Sequence, residues 1–199
     1  MASATKEKEQ IEAIKPWVDL MQAKAFLAGD FLLWLWYFAE SPQNPVELEL
    51  SRQGKTTIKL WVEDRLVLES HDNRAQVHTF KGGEPSRSLE AEFSLKSGKV
   101  VRELRLGLHI DPYGDFISLL SAKDLSPKSI YLPNHTQEGG PAPLGLAFRL
   151  QMTDLYLEAL DGLFLKFLEV RADKLWRDQE LPAIRTWIQA RGQAETHLH

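Results

Sequence analysis

Six histidines and 28 acidic residues are this chain's raw material for acid–base or metal chemistry, and their spacing offers few centres. His71 and His78 stand where two neighbouring strands could bring them together, and His109-Ile110-Asp111 puts an imidazole and a carboxylate on one strand face. Such groups suit a metal site or a proton relay, but a solvated surface pair is the commoner reason for them. Glu63-Asp64 and Glu90 with Glu92 are paired carboxylates of the kind a nuclease uses to hold magnesium. Solvation of a turn and of a helix surface explains them as well. His197 and His199 lie on a tail expected to fray, without the surrounding partners that fix metal ligands. No glycine-rich phosphate loop is present, Ser97-Gly98-Lys99 lacks the glycine that must precede it, and no serine sits in a G-x-S-x-G turn. With no cysteine there is neither a thiolate nucleophile nor a disulfide framework. No catalytic residue, metal or cofactor is assigned, and the chain reads as non-enzymatic.

Charge gives a clearer signal. Lys96, Lys99, Arg102 and Arg105 are interrupted only by Glu103, a local excess of three positive charges. These four are the candidate DNA-binding residues, suited to phosphate contact without sequence reading. Lysine at a helix end is already favoured by the helix dipole, so a solvated basic surface is the competing reading. Arg171, Lys174, Arg177, Arg185 and Arg191 form a second basic cluster, diluted by Asp173, Asp178 and Glu180. The net charge of −4 argues against a protein that coats nucleic acid or anionic lipid over its whole surface.

The elements that must position these groups follow from periodicity. Nine apolar residues run unbroken from Phe31 to Ala39, inside a stretch from Ala25 to Glu40 that reads as a helix covered on several sides. Asp30 keeps the run well short of the roughly 18 apolar residues a membrane span needs. Gly29 and Asp30 are expected to bend it. Pro42 and Pro45 stop the helix, after which the period changes to two.

Val46 to Leu50 and Ile58 to Val62 alternate as a hairpin around Gly54, Glu63-Asp64 reads as a turn into Leu66–Glu69, and Ala75 to Phe80 follows as a fourth strand. Ser86 is expected to cap a short helix with Leu89, Phe93 and Leu95 facing inward and Gly98 ending it. Val100 to Ile110 should be the longest strand; Phe116 to Ser121 and Ser129 to Leu132 complete the sheet. After a polar loop over 134–143, expected to be mobile, comes a seam of Leu146, Leu150, Thr153, Leu157, Leu160, Phe164 and Phe167, spaced 4, 3, 4, 3, 4, 3 along a helix to about Arg171. Its apolar members are the candidate interaction surface. Trp176, Ile184 and Trp187 suggest a last short helix folding back.

Phe26-Leu27-Ala28-Gly29-Asp30-Phe31-Leu32-Leu33-Trp34-Leu35-Trp36-Tyr37 resembles the FLGREFLTWLWF signature of the C-terminal half of some bacterial recombination-associated RdgC proteins. Asp64-Arg65-Leu66-Val67-Leu68-Glu69-Ser70 is similar to that family's DRLVLES block, and Ser88-Leu89-Glu90-Ala91 followed by Gly98-Lys99-Val100 resembles its helix and GKKV turn. Asp161-Gly162-Leu163-Phe164 and Leu181-Pro182-Ala183-Ile184-Arg185-Thr186-Trp187-Ile188 resemble its closing segments. The resemblance implies a non-catalytic dimer that binds DNA without sequence preference and restrains the RecA recombinase. An exonuclease activity has also been suspected in the family. The family's N-terminal half has no counterpart before Ala25, so the implied protein partners are a second copy or a separately encoded N-terminal half.

The expectation is one α+β domain over 25–191, flanked by a polar, partly flexible segment over 1–24 and a flexible tail over 192–199. An antiparallel, meander-like sheet packs against a buried aromatic N-terminal helix and a long C-terminal helix. The function expected is cytoplasmic, nucleoid-associated DNA binding linked to recombination or replication. The alternative is an interaction or scaffold module that docks through its apolar helices and never touches DNA.

Overall fold

The computed structural model describes residues 27–51, 53–70, 76–133 and 145–191. The expectations for 1–26, for the loop over 134–143, for His71 and for the tail from Gly192 lie outside the described residues.

The apolar run forms helix α1, over 27–39. Phe31, Leu32, Trp34, Leu35, Trp36 and Phe38 are all buried on its several faces, as an all-round apolar helix requires. The helix continues unbroken through Gly29 and Asp30, and Asp30 Oδ2 accepts from Arg171 Nε at 3.3 Å.

Six strands then make one antiparallel sheet: β1 (Val46–Leu50), β2 (Gly54–Glu69), β3 (Val77–Lys81), β4 (Val100–Ile110), β5 (Gly114–Ser121) and β6 (Lys128–Tyr131). The order is β1-β2-β4-β5-β6, and β3 pairs with β2 beyond the stretch that β1 occupies. β2, with 16 residues, is longer than β4, and Glu63-Asp64 is no turn. Between Val62 and Leu66 the β2–β4 register slips instead. The slip is a bulge, which keeps a strand continuous while bending it. Its polar side chains are held from neighbouring positions: Glu63 accepts from Trp61 Nε1 (2.5 Å), Asp64 from Arg105 Nη1 (2.8 Å), and Arg65 donates to Glu103 (2.7 Å).

A turn of 3-10 helix, Pro85–Arg87, precedes helix α2 (Leu89–Lys96). Ser88, rather than Ser86, is the cap, accepting from the Ala91 amide at 3.2 Å. The inward face of α2 also differs from the apolar pattern: Leu89 and Phe93 are exposed, while Ala91, Glu92, Ser94 and Leu95 are buried. Two polar contacts set that rotation, Arg191 beside Glu92 and Ser94 beside His78.

Helix α3 (Leu146–Ala172) is followed by a π-helical turn, Trp176–Glu180, and helix α4 (Leu181–Ala190). One sheet face, built from alternate residues such as Ile58, Leu60, Leu104, Leu106, Leu108 and Phe116, joins α1 and α3 in a single core. Phe31 meets Phe164 edge-on at 5.0 Å and Phe167 at 5.4 Å, and Phe167 meets Trp176 edge-on at 5.6 Å. Each such side chain, fully buried, contributes about 1.5–3 kcal/mol by leaving water. The fold is α+β, with the aromatic N-terminal helix and the long C-terminal helix on the same side of the sheet as the core.

Across that core Ser118 and Tyr156 share a buried hydrogen bond between β5 and α3. Tyr156 also stacks on Phe116 at 6.0 Å. Burial pushes its phenol pKa up to about 12, the Ser118 hydrogen bond opposing the shift only in part.

Candidate nucleic-acid interface

The four candidate DNA-binding cations do not share one environment. Lys96, in the last turn of α2, turns toward α4 and donates to the Arg191 carbonyl at 2.5 Å. Lys99 reaches His78 Nε2 at 2.8 Å. Arg102 pairs with Glu69 at 3.3 Å across β2 and β4, and Arg105 pairs with Asp64 at 2.8 Å. All four have partners within the protein. The two ion pairs are partly exposed, a class contributing about 0–1 kcal/mol, so a phosphate can compete for their arginines.

Arg105 belongs to the sheet face that points away from the core. That face takes the alternate residues of β2, β4 and β5, and its Lys59, His109 and Asp115 are exposed. Register sets Trp61, Gly107, Ile117 and Tyr131 side by side across β2, β4, β5 and β6. Trp61 and Ile117 are half-buried and Tyr131 is 57% exposed. The Arg105 guanidinium lies 5.2 Å from the Tyr131 ring centre. The alternation already places Lys59 and Trp61 on the polar side of β2, a signal for the aromatic. Tyr131 enters the row only through the β5–β6 register.

The candidate interaction surface divides along α3. Leu160, Phe164 and Phe167 are buried in the core, whereas Leu146, Leu150 and Leu157 remain 75%, 56% and 37% exposed. Near its start the helix buries Met152, Leu155 and Tyr156 instead, about a quarter-turn or more around from the leucines.

Little supports an acid–base or metal centre. His109 Nδ1 contacts Asp115 at 2.6 Å across the β4–β5 turn rather than Asp111. Glu92 is buried beside Arg191 while Glu90 stays exposed, because residues two apart on a helix point to different sides. Among the described residues no three histidine, aspartate or glutamate side chains are grouped to hold a metal ion. No described helix is long and apolar enough to cross a membrane.

The second basic cluster is also dispersed. Arg171 pairs with Asp30 and lies 5.0 Å over Trp176, and the Arg191 side chain turns inward to Glu40. A cleft of about 420 Å³ beside the π-helical turn is lined by Arg171, Lys174 and Arg177 but also by Asp173 and Asp178. With Asp30 on Arg171, its charges nearly cancel.

No family model matches the chain, and neither the curated proteins nor the solved structures contain a match to it.

Proposed function

We propose that this chain is a non-catalytic, RdgC-like DNA-associated protein that holds nucleic acid through its phosphates without reading sequence. The observation that carries the reading is the sheet face turned away from the core, where Arg105 stands among exposed Lys59, His109 and Lys128. Arg102 and Lys99 continue from it along β4 toward α2. The resemblance from about Ala25 to Ile188, five blocks in one order, supports the same reading and adds a link to recombination or replication on the nucleoid.

Phosphate neutralisation releases counterions, so the test is salt. For four phosphate contacts, raising salt from about 50 to 200 mM should weaken binding of a fluorescently labelled duplex roughly a hundredfold. Lys99→Glu with Arg102→Glu should lower the slope of log K against log salt by about two. Binding of neither duplex nor single-stranded DNA at the lower salt would overturn the proposal.

A second reading, a module that docks through apolar helices, is favoured by one observation: Leu146, Leu150 and Leu157 form an exposed stripe within about 40° of arc on α3. Association through that stripe would persist at high salt, which separates it from phosphate binding.

A further inference from the structure

We infer that the face of the sheet turned away from the core is a stacking platform for single-stranded nucleic acid, with Trp61 and Tyr131 taking bases. The inference rests on the nucleic-acid reading above and narrows it to unpaired strands.

The row Trp61, Gly107, Ile117, Tyr131 crosses four strands. At Gly107 a Cβ would come within 2.1 Å of the Trp61 fused-ring carbons, so the indole occupies the space that any other residue would fill. Its Nε1 is already satisfied by Glu63 at 2.5 Å, which holds the ring in place across the strand. Tyr131, at the far end of the row on the edge strand, carries the Arg105 guanidinium 5.2 Å from its centre. Three strand spacings of about 4.8 Å put the two backbones roughly 14 Å apart, and the indole, lying over Gly107, brings the rings closer than that. A flexible single strand can lay bases on both, whereas duplex bases keep their faces inside the stack. Base–aromatic stacking needs that free face and tolerates any sequence.

The charges around the row are mixed, with cations on both sides of it. Among the described residues Lys59 and Lys128 have no ion-pair partner, and they flank the row on either side: Lys59 opposite His109, Lys128 opposite Leu119. The nearby carboxylates Asp64, Glu103 and Asp115 are each engaged, by Arg105, Arg65 and His109. Glu63 lies beside Trp61, and Glu47 and Glu49 lie exposed on β1. Those acidic groups direct the phosphates toward β4, β5 and β6.

The test compares a labelled 20-nucleotide oligothymidine with a duplex of equal length by anisotropy at low salt. Wild type should bind the single strand more tightly. Trp61→Ala and Tyr131→Ala should each weaken single-strand binding about tenfold and leave duplex binding within twofold. Tyr131 is exposed on an edge strand, so its variant keeps the test open should Trp61→Ala not fold, and Lys128→Glu adds a charge arm. Equal affinity for both nucleic acids with no effect of either aromatic substitution would overturn the platform while leaving duplex binding intact. Binding of neither nucleic acid by wild type would overturn the underlying reading as well, and capture of an acidic protein instead would assign the face to a protein partner.

Discussion

Arg191→Ala is expected to cost about 3–5 kcal/mol of stability, the usual penalty for removing one partner from a buried ion pair. Although Arg191 follows the last helix, its side chain is only 7% exposed. It binds Glu40 at 2.5 Å, lies 3.6 Å from Glu92 and donates to the Ser86 carbonyl. Its guanidinium sits 5.1 Å from the Trp36 ring centre and 4.6 Å from that of Trp187. Glu40 in turn accepts from Trp36 Nε1 at 3.0 Å and Trp187 Nε1 at 3.2 Å. One side chain thus ties α1, α2 and α4 together. Without it, Glu92 would stay buried without a cation and Glu40 would lose its charged partner. Urea unfolding should show a lower midpoint at unchanged slope. Arg191→Lys should recover only part of the loss, because an ammonium cannot reproduce the planar fork or its stacking. A cost below about 1 kcal/mol for Arg191→Ala, the range of exposed pairs, would show that the cluster is not the clamp described.

The second large effect is alkaline. Burial raises the Tyr156 phenol pKa to about 12 in the folded protein, from an ordinary value of 10.0. Below pH 10 both states hold the proton, and the group contributes no pH dependence. Between pH 10 and 12 the unfolded chain releases its proton while the folded one keeps it. The unfolded state then binds fewer protons, so unfolding becomes easier as pH rises, by about 3 kcal/mol over the window. Tyr156→Phe should be less stable near neutrality by about 1–2 kcal/mol, because Ser118 loses its buried partner. The gap to wild type should then close and reverse above pH 10. Parallel stability curves for the two proteins would contradict this account of the Ser118–Tyr156 pair.

Much of this architecture is legible in the chain. Alternation in Val46–Leu50 and Val100–Ile110 specifies strands with one buried face, and the unbroken run from Phe31 to Ala39 specifies a helix surrounded by core. What escapes the pattern is decided by distant polar partners. Glu63, Asp64 and Arg65 have the composition of a turn but remain in β2, where Trp61, Arg105 and Glu103 pair with them. α2 turns Phe93 outward and Glu92 inward because a buried arginine nearly a hundred residues later waits for the carboxylate. The α3 seam is continuous in spacing, yet only Leu160, Phe164 and Phe167 of its larger residues reach the core.

The candidate site divides in the same way. Lys96, Lys99, Arg102 and Arg105 stand three apart in sequence, but helix-to-strand geometry sends Lys96 toward α4 and Arg105 to the outer face of the sheet. Trp61 and Tyr131, seventy residues apart in the chain, become neighbours in a row only through the pairings of β2, β4, β5 and β6. Local spacing cannot encode that adjacency; strand register creates it.

The proposed seat of nucleic acid is the outer face of this sheet. Ultraviolet cross-linking of a bromodeoxyuridine-containing single strand at low salt, followed by peptide mapping, tests it directly. Adducts are expected on the β2 peptide carrying Trp61 and the β6 peptide carrying Tyr131, both lost as salt is raised. Adducts confined to the helical side of the molecule, or none at all, would contradict it.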